Sequence, residues 1–334
     1  MEWLLPIVTV GAAALLGYAN GGNDISKTIA TLVGSGEASF RKAVTVGAIA
    51  SGLGAYTAAF LATRMVAAFS HGLLNAPPTP LFALAVTVGA VVWVLLATRV
   101  GWPVSTTHAI TGAIVVAGIV AFGANQVSWR ALGKGVLLPL LLSPVVSLAI
   151  AVGLIGAVRV VFRSCRGGAC STCHWLSAMA ASFARTLNDI PKIVALLFTF
   201  QVAGGFTHGV VAAGAGGTPP LWMFLMIGTS CALGAIVAGL RVTQTLAYKV
   251  TDLNHEEGLT ANLATAAVVI ATAIRGFPVS TTHVSSFAVI GTGLTEGKRS
   301  VHWHTVGEMA FAWAITLPIA GIIGAGMYLM LHYV

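Results

Sequence analysis

The sequence predicts an all-α polytopic membrane protein built from two related halves. Three observations carry that prediction. Of the 334 residues, 57% are hydrophobic and only 8% charged, with a mean hydropathy of +0.92. A soluble domain carries roughly 25% charged residues, so this chain has too little charge to cover a water-facing surface. Long apolar stretches recur from end to end. Two polar motifs each occur twice, in the same order. Asn23-Asp24-Ile25-Ser26-Lys27-Thr28-Ile29-Ala30 is matched by Asn188-Asp189-Ile190-Pro191-Lys192-Ile193-Val194-Ala195, with Asn, Asp, Ile, Lys and Ala identical. Pro103-Val104-Ser105-Thr106-Thr107-His108 recurs complete as Pro278-Val279-Ser280-Thr281-Thr282-His283. Motifs repeated in order mean two homologous halves, each contributing half of one site.

The elements follow in order. Residues 3–34 are apolar but interrupted by Ala19-Asn20-Gly21-Gly22-Asn23-Asp24. As one straight helix this stretch would run to about 48 Å, against a hydrocarbon core about 30 Å thick. A break or turn near the glycine pair is therefore expected. Residues 43–63 and 81–99 read as ordinary spans, with a proline-rich loop at 75–80. A further apolar stretch, 104–122, begins just after Pro103. Residues 135–162 form a long span interrupted at Ser143-Pro144. After a basic, cysteine-containing linker, 177–213 repeats the first segment with its own polar insertion. A span at 221–240, a polar loop at 251–258, and spans at 259–274, 279–294 and 306–328 complete the chain. The total is about 10–12 membrane-embedded segments, some broken or re-entrant. The halves divide as 1–161 and 178–334, with a cytoplasmic linker at 162–177.

Charge supports the membrane assignment. The net charge is +8, from 17 Lys and Arg against 9 Asp and Glu. Much of the basic excess sits in loops, at Arg41, Lys42, Arg130, Lys134, Arg159, Arg163, Arg166, Lys298 and Arg299. That pattern marks cytoplasmic loops near span ends rather than a nucleic-acid surface. Met1 is followed by Glu2 and an apolar run without a basic leader, so no cleavable signal peptide is expected. Cys165, Cys170, Cys173 and His174 in the linker fit no metal-site spacing, and a reduced linker is the expectation. Cys231 reads as a packed apolar residue.

Each Pro-Val-Ser-Thr-Thr-His copy follows a glycine break and precedes an apolar helical stretch. Pro favours the first helical turn, and Ser and Thr cap helix starts. A half-helix should therefore begin inside each copy. Its unpaired N–H groups and partial positive charge, with adjacent hydroxyls, suit an oxyanion. The competing reading, that these hydroxyls only cap or glue helices, is weakened by the duplication. Asp24 and Asp189 are two of the three aspartates in the chain and lie in apolar segments. A buried carboxylate needs a partner. Lys27 and Lys192, three residues on, can share a helix face with them. Coupling cations would offset two carboxylates beside a divalent anion. His108 and His283 read as buttresses of the half-helix starts. Neither a H-E-x-x-H nor a G-x-S-x-G motif is found, so enzymatic activity is not expected.

Gly21-Gly22-Asn23-Asp24, Asn188-Asp189 and both Pro-Val-Ser-Thr-Thr-His copies together resemble the PiT family of inorganic phosphate transporters. Gly239-Leu240-Arg241-Val242-Thr243-Gln244-Thr245 is similar to another segment of that family. The resemblance covers about residues 10–330. It implies two inverted-topology repeats with phosphate at their interface, in the cell membrane, with a homodimer possible. It implies import driven by Na⁺ or H⁺ and, in some bacterial members, of a metal–phosphate complex. By motif match, Asp24, Ser105, Thr106, Thr107, Asp189, Ser280, Thr281 and Thr282 line the anion. Asn23 and Asn188, with the same aspartates, belong to the cation sites. No metal or cofactor beyond the coupling cation is implied.

The chain departs from the family pattern in four places. Phe183-Ala184-Arg185-Thr186-Leu187 replaces a Ser-His-Gly-Ala-like run. Gln244 and Asn262 stand at or near positions usually held by Glu, and residues 49–53 carry no carboxylate either. Arg185 could strengthen an anion site, but the favoured expectation is that it faces the cytoplasm. A carboxylate accepts from the P–OH of phosphate but only repels sulfate, so the retained aspartates favour phosphate. Sulfate or another oxyanion is the alternative substrate. A passive anion channel is the alternative class.

Overall fold

The computed structural model describes residues 3–164, 168–206, 217–297 and 300–333. Among these the protein is helical, with no strand beyond two isolated bridges. Seven helices among the described residues are long and apolar enough to cross a membrane. Large apolar side chains such as Leu141, Val237 and Ile322 point outward, while Asp24, Lys27, Asp189 and Lys192 are buried. This inside-out polarity is that of a multi-pass membrane protein.

The two Asn-Asp motifs lie on α1 (Leu4–Gly34) and α7 (Gly168–Phe200). Both helices are continuous, which corrects the expected break near Gly21-Gly22. The glycines serve close packing instead. A Cβ on Gly21 would lie 1.7 Å from the carbonyl oxygen of Cys231 on α8 (Leu221–Ala238). Reciprocally, a Cβ on Gly234 of α8 would lie 1.8 Å from the Tyr18 carbonyl oxygen. Two backbones this close need glycine at the crossing. Polar side chains at the motif are satisfied by partners on other helices, so the helix has no need to unwind. Gly21→Ala is expected to force α1 from α8 and lower the melting temperature in detergent by the equivalent of about 3 kcal/mol. Gly11→Ala, with nothing within 4 Å of the new methyl, should melt as the native protein does.

The breaks fall at the other motif. α4 (Pro80–Val100) ends at Gly101, whose φ of 80° is left-handed, and α5 (Thr106–Phe122) starts five residues later. α10 (His255–Ile274) is followed by Gly276 at φ 76°, and α11 (Thr281–Leu294) starts after an equivalent gap. At 17 and 14 residues, α5 and α11 reach only about 25 and 21 Å. They are half-helices that start inside the protein.

Other boundaries moved for identifiable reasons. The span expected at 43–63 is α2 (Phe40–Leu61), and a bend at Ala62 admits the short α3 (Thr63–Ser70). The loop expected at 251–258 is shorter, because Asn254 and Glu257 form a reciprocal capping box that starts α10 at His255. A π-helical turn, Ala131–Leu137, leads into α6 (Leu138–Ser164), which carries Pro144 without ending there. α7 begins inside the expected linker. Cys170 is disulfide-bonded, which corrects the expectation of reduced thiols, and Cys173 is a free thiol. Cys165 and Arg166, also of that linker, lie outside the described residues, as do residues 207–213 of the expected 177–213 segment. α9 (Leu240–Tyr248) and α12 (Trp303–Tyr333) complete the helices.

Packing interlocks the sequence halves. α1 lies on α8 and α7 on α2; α5 lies on α12 and α6 on α11. At one end Glu37, in the turn after α1, accepts from the Ser171 hydroxyl and from Trp175 Nε1 at 3.0 Å, and faces His255 Nδ1 at 3.3 Å. It thereby joins α1, α7 and α10. The hydrogen bond from Ser171 holds the Glu37 carboxyl below its ordinary value of 4.5. A carboxyl depressed on folding stabilises the fold fully above its unfolded value and loses that effect as pH falls through its folded value. Glu37→Gln should therefore lower the melting temperature above about pH 4.5. The difference from the native protein should close as the pH is lowered further.

Candidate functional site

The two continuous helices and the two half-helices meet at one buried centre. Ser105 caps α5 by accepting from His108 N at 3.2 Å, and Ser280 caps α11 through His283 N at 3.2 Å. Both half-helix starts are thereby fixed. The first N–H groups beyond each cap have no partner inside the helix. The serine hydroxyls expected to line an anion act here as caps.

The threonines cross between halves. Thr282 Oγ1 donates to the Val104 carbonyl at 2.7 Å, and Thr107 Oγ1 donates to the Val279 carbonyl at 3.1 Å. Lysines complete the same pattern. Lys27 Nζ donates to Asp24 Oδ1 at 3.0 Å, to Val104 O at 2.9 Å and to Thr282 Oγ1. Lys192 Nζ donates to Asp189 Oδ1 at 2.8 Å, to Val279 O at 3.2 Å and to Thr107 Oγ1. Each lysine thus binds its own aspartate and the half-helix of both motif copies. Sequence spacing showed the Asp–Lys pairing but not these crossings.

Thr281 draws the carboxylates together. Its Oγ1 lies 3.0 Å from Asp24 Oδ1 and 3.1 Å from Asp189 Oδ2. Two carboxylates this close require compensating charge in a buried site. Lys27 and Lys192 supply it, and Arg185 adds more. Arg185 is 0% exposed, and its Nη1 lies 2.6 Å from Asp24 Oδ1. This corrects the expectation that Arg185 faces the cytoplasm. It precedes Asp189 by four residues, one helical turn, on a helix whose polar face turns inward. That spacing was the available signal.

The asparagines do unequal work. Asn23 accepts from Val104 N at 3.0 Å and donates to Thr98 Oγ1 and Trp102 O at 3.0 and 2.9 Å. It clamps the chain just before α5. Asn188 donates to Asp189 Oδ1 and Val279 O at 2.9 and 3.1 Å, while its Oδ1 is buried with no partner. Thr106 Oγ1 donates to Asn20 Oδ1 at 2.7 Å, a residue that sequence reading did not single out.

Outside this centre, His108 and His283 pack against each other with ring centroids 4.7 Å apart and planes tilted by 49°, and His283 lies against Trp313. Trp313 Nε1 in turn donates to Pro103 O at 2.7 Å. The histidines sit behind the half-helix starts, as a buttress would. Arg241 donates to the Arg99 carbonyl and Thr245 to the Gly101 carbonyl at 2.9 Å, so α9 braces the first break. Gln244 is exposed. Asn262 is buried and donates to Thr31 Oγ1 at 2.8 Å, a contact between helices.

Comparison with known proteins finds a matching family. The model of a phosphate transporter family matches twice, over residues 20–167 and 166–324. Probable low-affinity inorganic phosphate transporters are among the relatives. That of Mycobacterium bovis is 33% identical over all of this chain and 79% of its own length. That of Bacillus subtilis is 26% identical over 99% of this chain and 98% of its own. A solved structure described as a sodium-dependent phosphate transporter shares the fold, with a TM-score of 0.87, 21% identity and 99% coverage of both chains.

Proposed function

The chain belongs to the phosphate transporter family, and on that premise we propose that it imports inorganic phosphate coupled to a cation gradient. The family is one of membrane transporters rather than enzymes. The observation that carries the reading is the single buried centre in which Asp24, Lys27, Asp189, Lys192 and both half-helix starts interlock. The anion binds between α5 and α11, held by their free N–H groups and by Thr106, Thr107, Thr281 and Thr282. Asp24 or Asp189 accepts from the P–OH, which favours phosphate over sulfate. The two sequence halves act as inverted repeats that rock about this centre, exposing it to each side in turn.

The charges bear on coupling. Three buried cations, Lys27, Lys192 and Arg185, face two carboxylates, leaving a formal +1. A divalent phosphate brings the total to −1, which one monovalent cation neutralises. The carboxylates alone would demand several. The coupling cation, Na⁺ or H⁺, belongs at Asn188 Oδ1 and the Asp189 carboxylate, where a buried oxygen has no partner. Asn23 gives the first half a weaker claim, since its oxygen already accepts from Val104.

The test is uptake of radiolabelled phosphate into proteoliposomes under an imposed Na⁺ gradient, an imposed H⁺ gradient, or neither. One gradient should drive accumulation, and excess unlabelled sulfate should leave it intact. Uptake that follows phosphate down its own gradient only would mean a channel. Uptake erased by sulfate would mean an oxyanion permease of different selectivity.

A further inference from the structure

We propose that Arg185 is a direct ligand of the transported oxyanion and binds it side-on through Nε and Nη2; the proposal rests on the phosphate-transport reading. Arg185 is fully buried, yet only Nη1 has a partner, Asp24. Nε and Nη2 are buried without one. Buried donors on a charged group are costly to leave unmade. Two adjacent ones on a guanidinium form a fork. Nε–H and one Nη2–H point in parallel, at a spacing that fits two oxygens of a phosphate. The edge turned away from Asp24 is therefore the edge suited to bidentate oxyanion binding.

Position agrees with that role. Asp24 Oδ1, which receives Nη1, also lies 3.0 Å from Thr281 Oγ1 on the first residue of α11. The guanidinium is thus joined through one carboxylate to a half-helix start whose N–H groups also suit an anion. Charge agrees as well. The repeated residues Asp24, Lys27, Asp189 and Lys192 sum to zero, and Arg185 is the unmatched +1. A net buried charge calls for a counter-ion, and here that counter-ion is an anion.

The other half offers no equivalent. Asn20 stands three residues before Asn23, as Arg185 stands three before Asn188. Its amide is neutral and engaged with the Thr106 hydroxyl and Cys231 sulfur. The oxyanion is therefore held asymmetrically, closer to α7 and α11 than the repeat alone would place it.

Full-length native protein, Arg185→Lys and Arg185→Gln are compared in proteoliposomes for phosphate uptake, and in detergent for melting with and without phosphate. Lysine keeps a charge for Asp24 but loses the fork. Arg185→Lys should raise the KM for phosphate about ten-fold, and Arg185→Gln about a hundred-fold. Phosphate should raise the melting temperature of the native protein and leave that of Arg185→Lys nearly unmoved. A native-like KM in folded Arg185→Lys would overturn the proposal, leaving Arg185 only its pairing with Asp24. Native protein that transports no phosphate would overturn the transport reading as well. Should neither variant fold, a structure of the native protein with phosphate decides. The anion is expected about 2.8 Å from Nε and Nη2; an anion beyond hydrogen-bond distance of both would overturn the proposal.

Discussion

Asp24→Asn is expected to abolish phosphate uptake and to destabilise the protein by about 3–5 kcal/mol. Asp24 is the shared partner of Lys27 and Arg185, both buried, and it lies within reach of Thr281. An asparagine of the same shape leaves two cations without their counter-charge. Desolvated charges of one sign then face each other across the centre. Asp189→Asn should also stop uptake but cost less stability, because Lys192 alone loses its carboxylate while keeping Val279 O and Thr107. Thermal melting of the two variants in detergent, beside their uptake, measures the difference. Adding Arg185→Gln to Asp24→Asn should recover stability without recovering transport, since it removes one of the stranded cations. Equal melting of the two aspartate variants would contradict the partner assignment.

Lys192→Met is expected to be the mirror case. It strips Asp189 of its cation and removes the donor that reaches both Thr107 and Val279 O. Asp189 then keeps only the Asn188 amide and the Thr281 hydroxyl. A loss of about 3–5 kcal/mol and at least a hundred-fold fall in uptake should follow. Lys27→Met should be milder in stability, because Arg185 still neutralises Asp24. Each lysine makes the same set of contacts, an aspartate, a Val carbonyl and a Thr hydroxyl, and the largest charge difference between the two surroundings is Arg185, so it should dominate any difference between the two lysine variants. Removing Arg185 in the Lys27→Met background should abolish the difference. Equal melting temperatures for the two single variants would contradict this account.

Much of the site was legible in the sequence because repetition exposes it. The Asp–Lys spacing placed both charges on one helix face, and the Pro-Val-Ser-Thr-Thr-His copies announced a half-helix start inside each copy. The glycine pair at 21–22 misled for a physical reason. Glycine serves both unwinding and close approach, and only the partner backbone at Cys231 distinguishes them. The crossing of Thr107 and Thr282 to the opposite motif was not legible, because pairing between halves is a tertiary fact. Arg185 misled because a lone arginine in an apolar chain usually sits at a span end. Its four-residue spacing from Asp189 carried the better signal. The start of α10 was missed because its capping pair, Asn254 and Glu257, lies within a polar run that reads as loop.

The central claim is that both motif copies build one phosphate site. Equilibrium binding of labelled phosphate to the purified full-length protein, counted per chain, tests it most directly. One phosphate per chain is expected, and either Asp24→Asn or Asp189→Asn should remove it. Two phosphates per chain, or one bound phosphate surviving in either variant with the other half silent, would contradict a site shared between the halves.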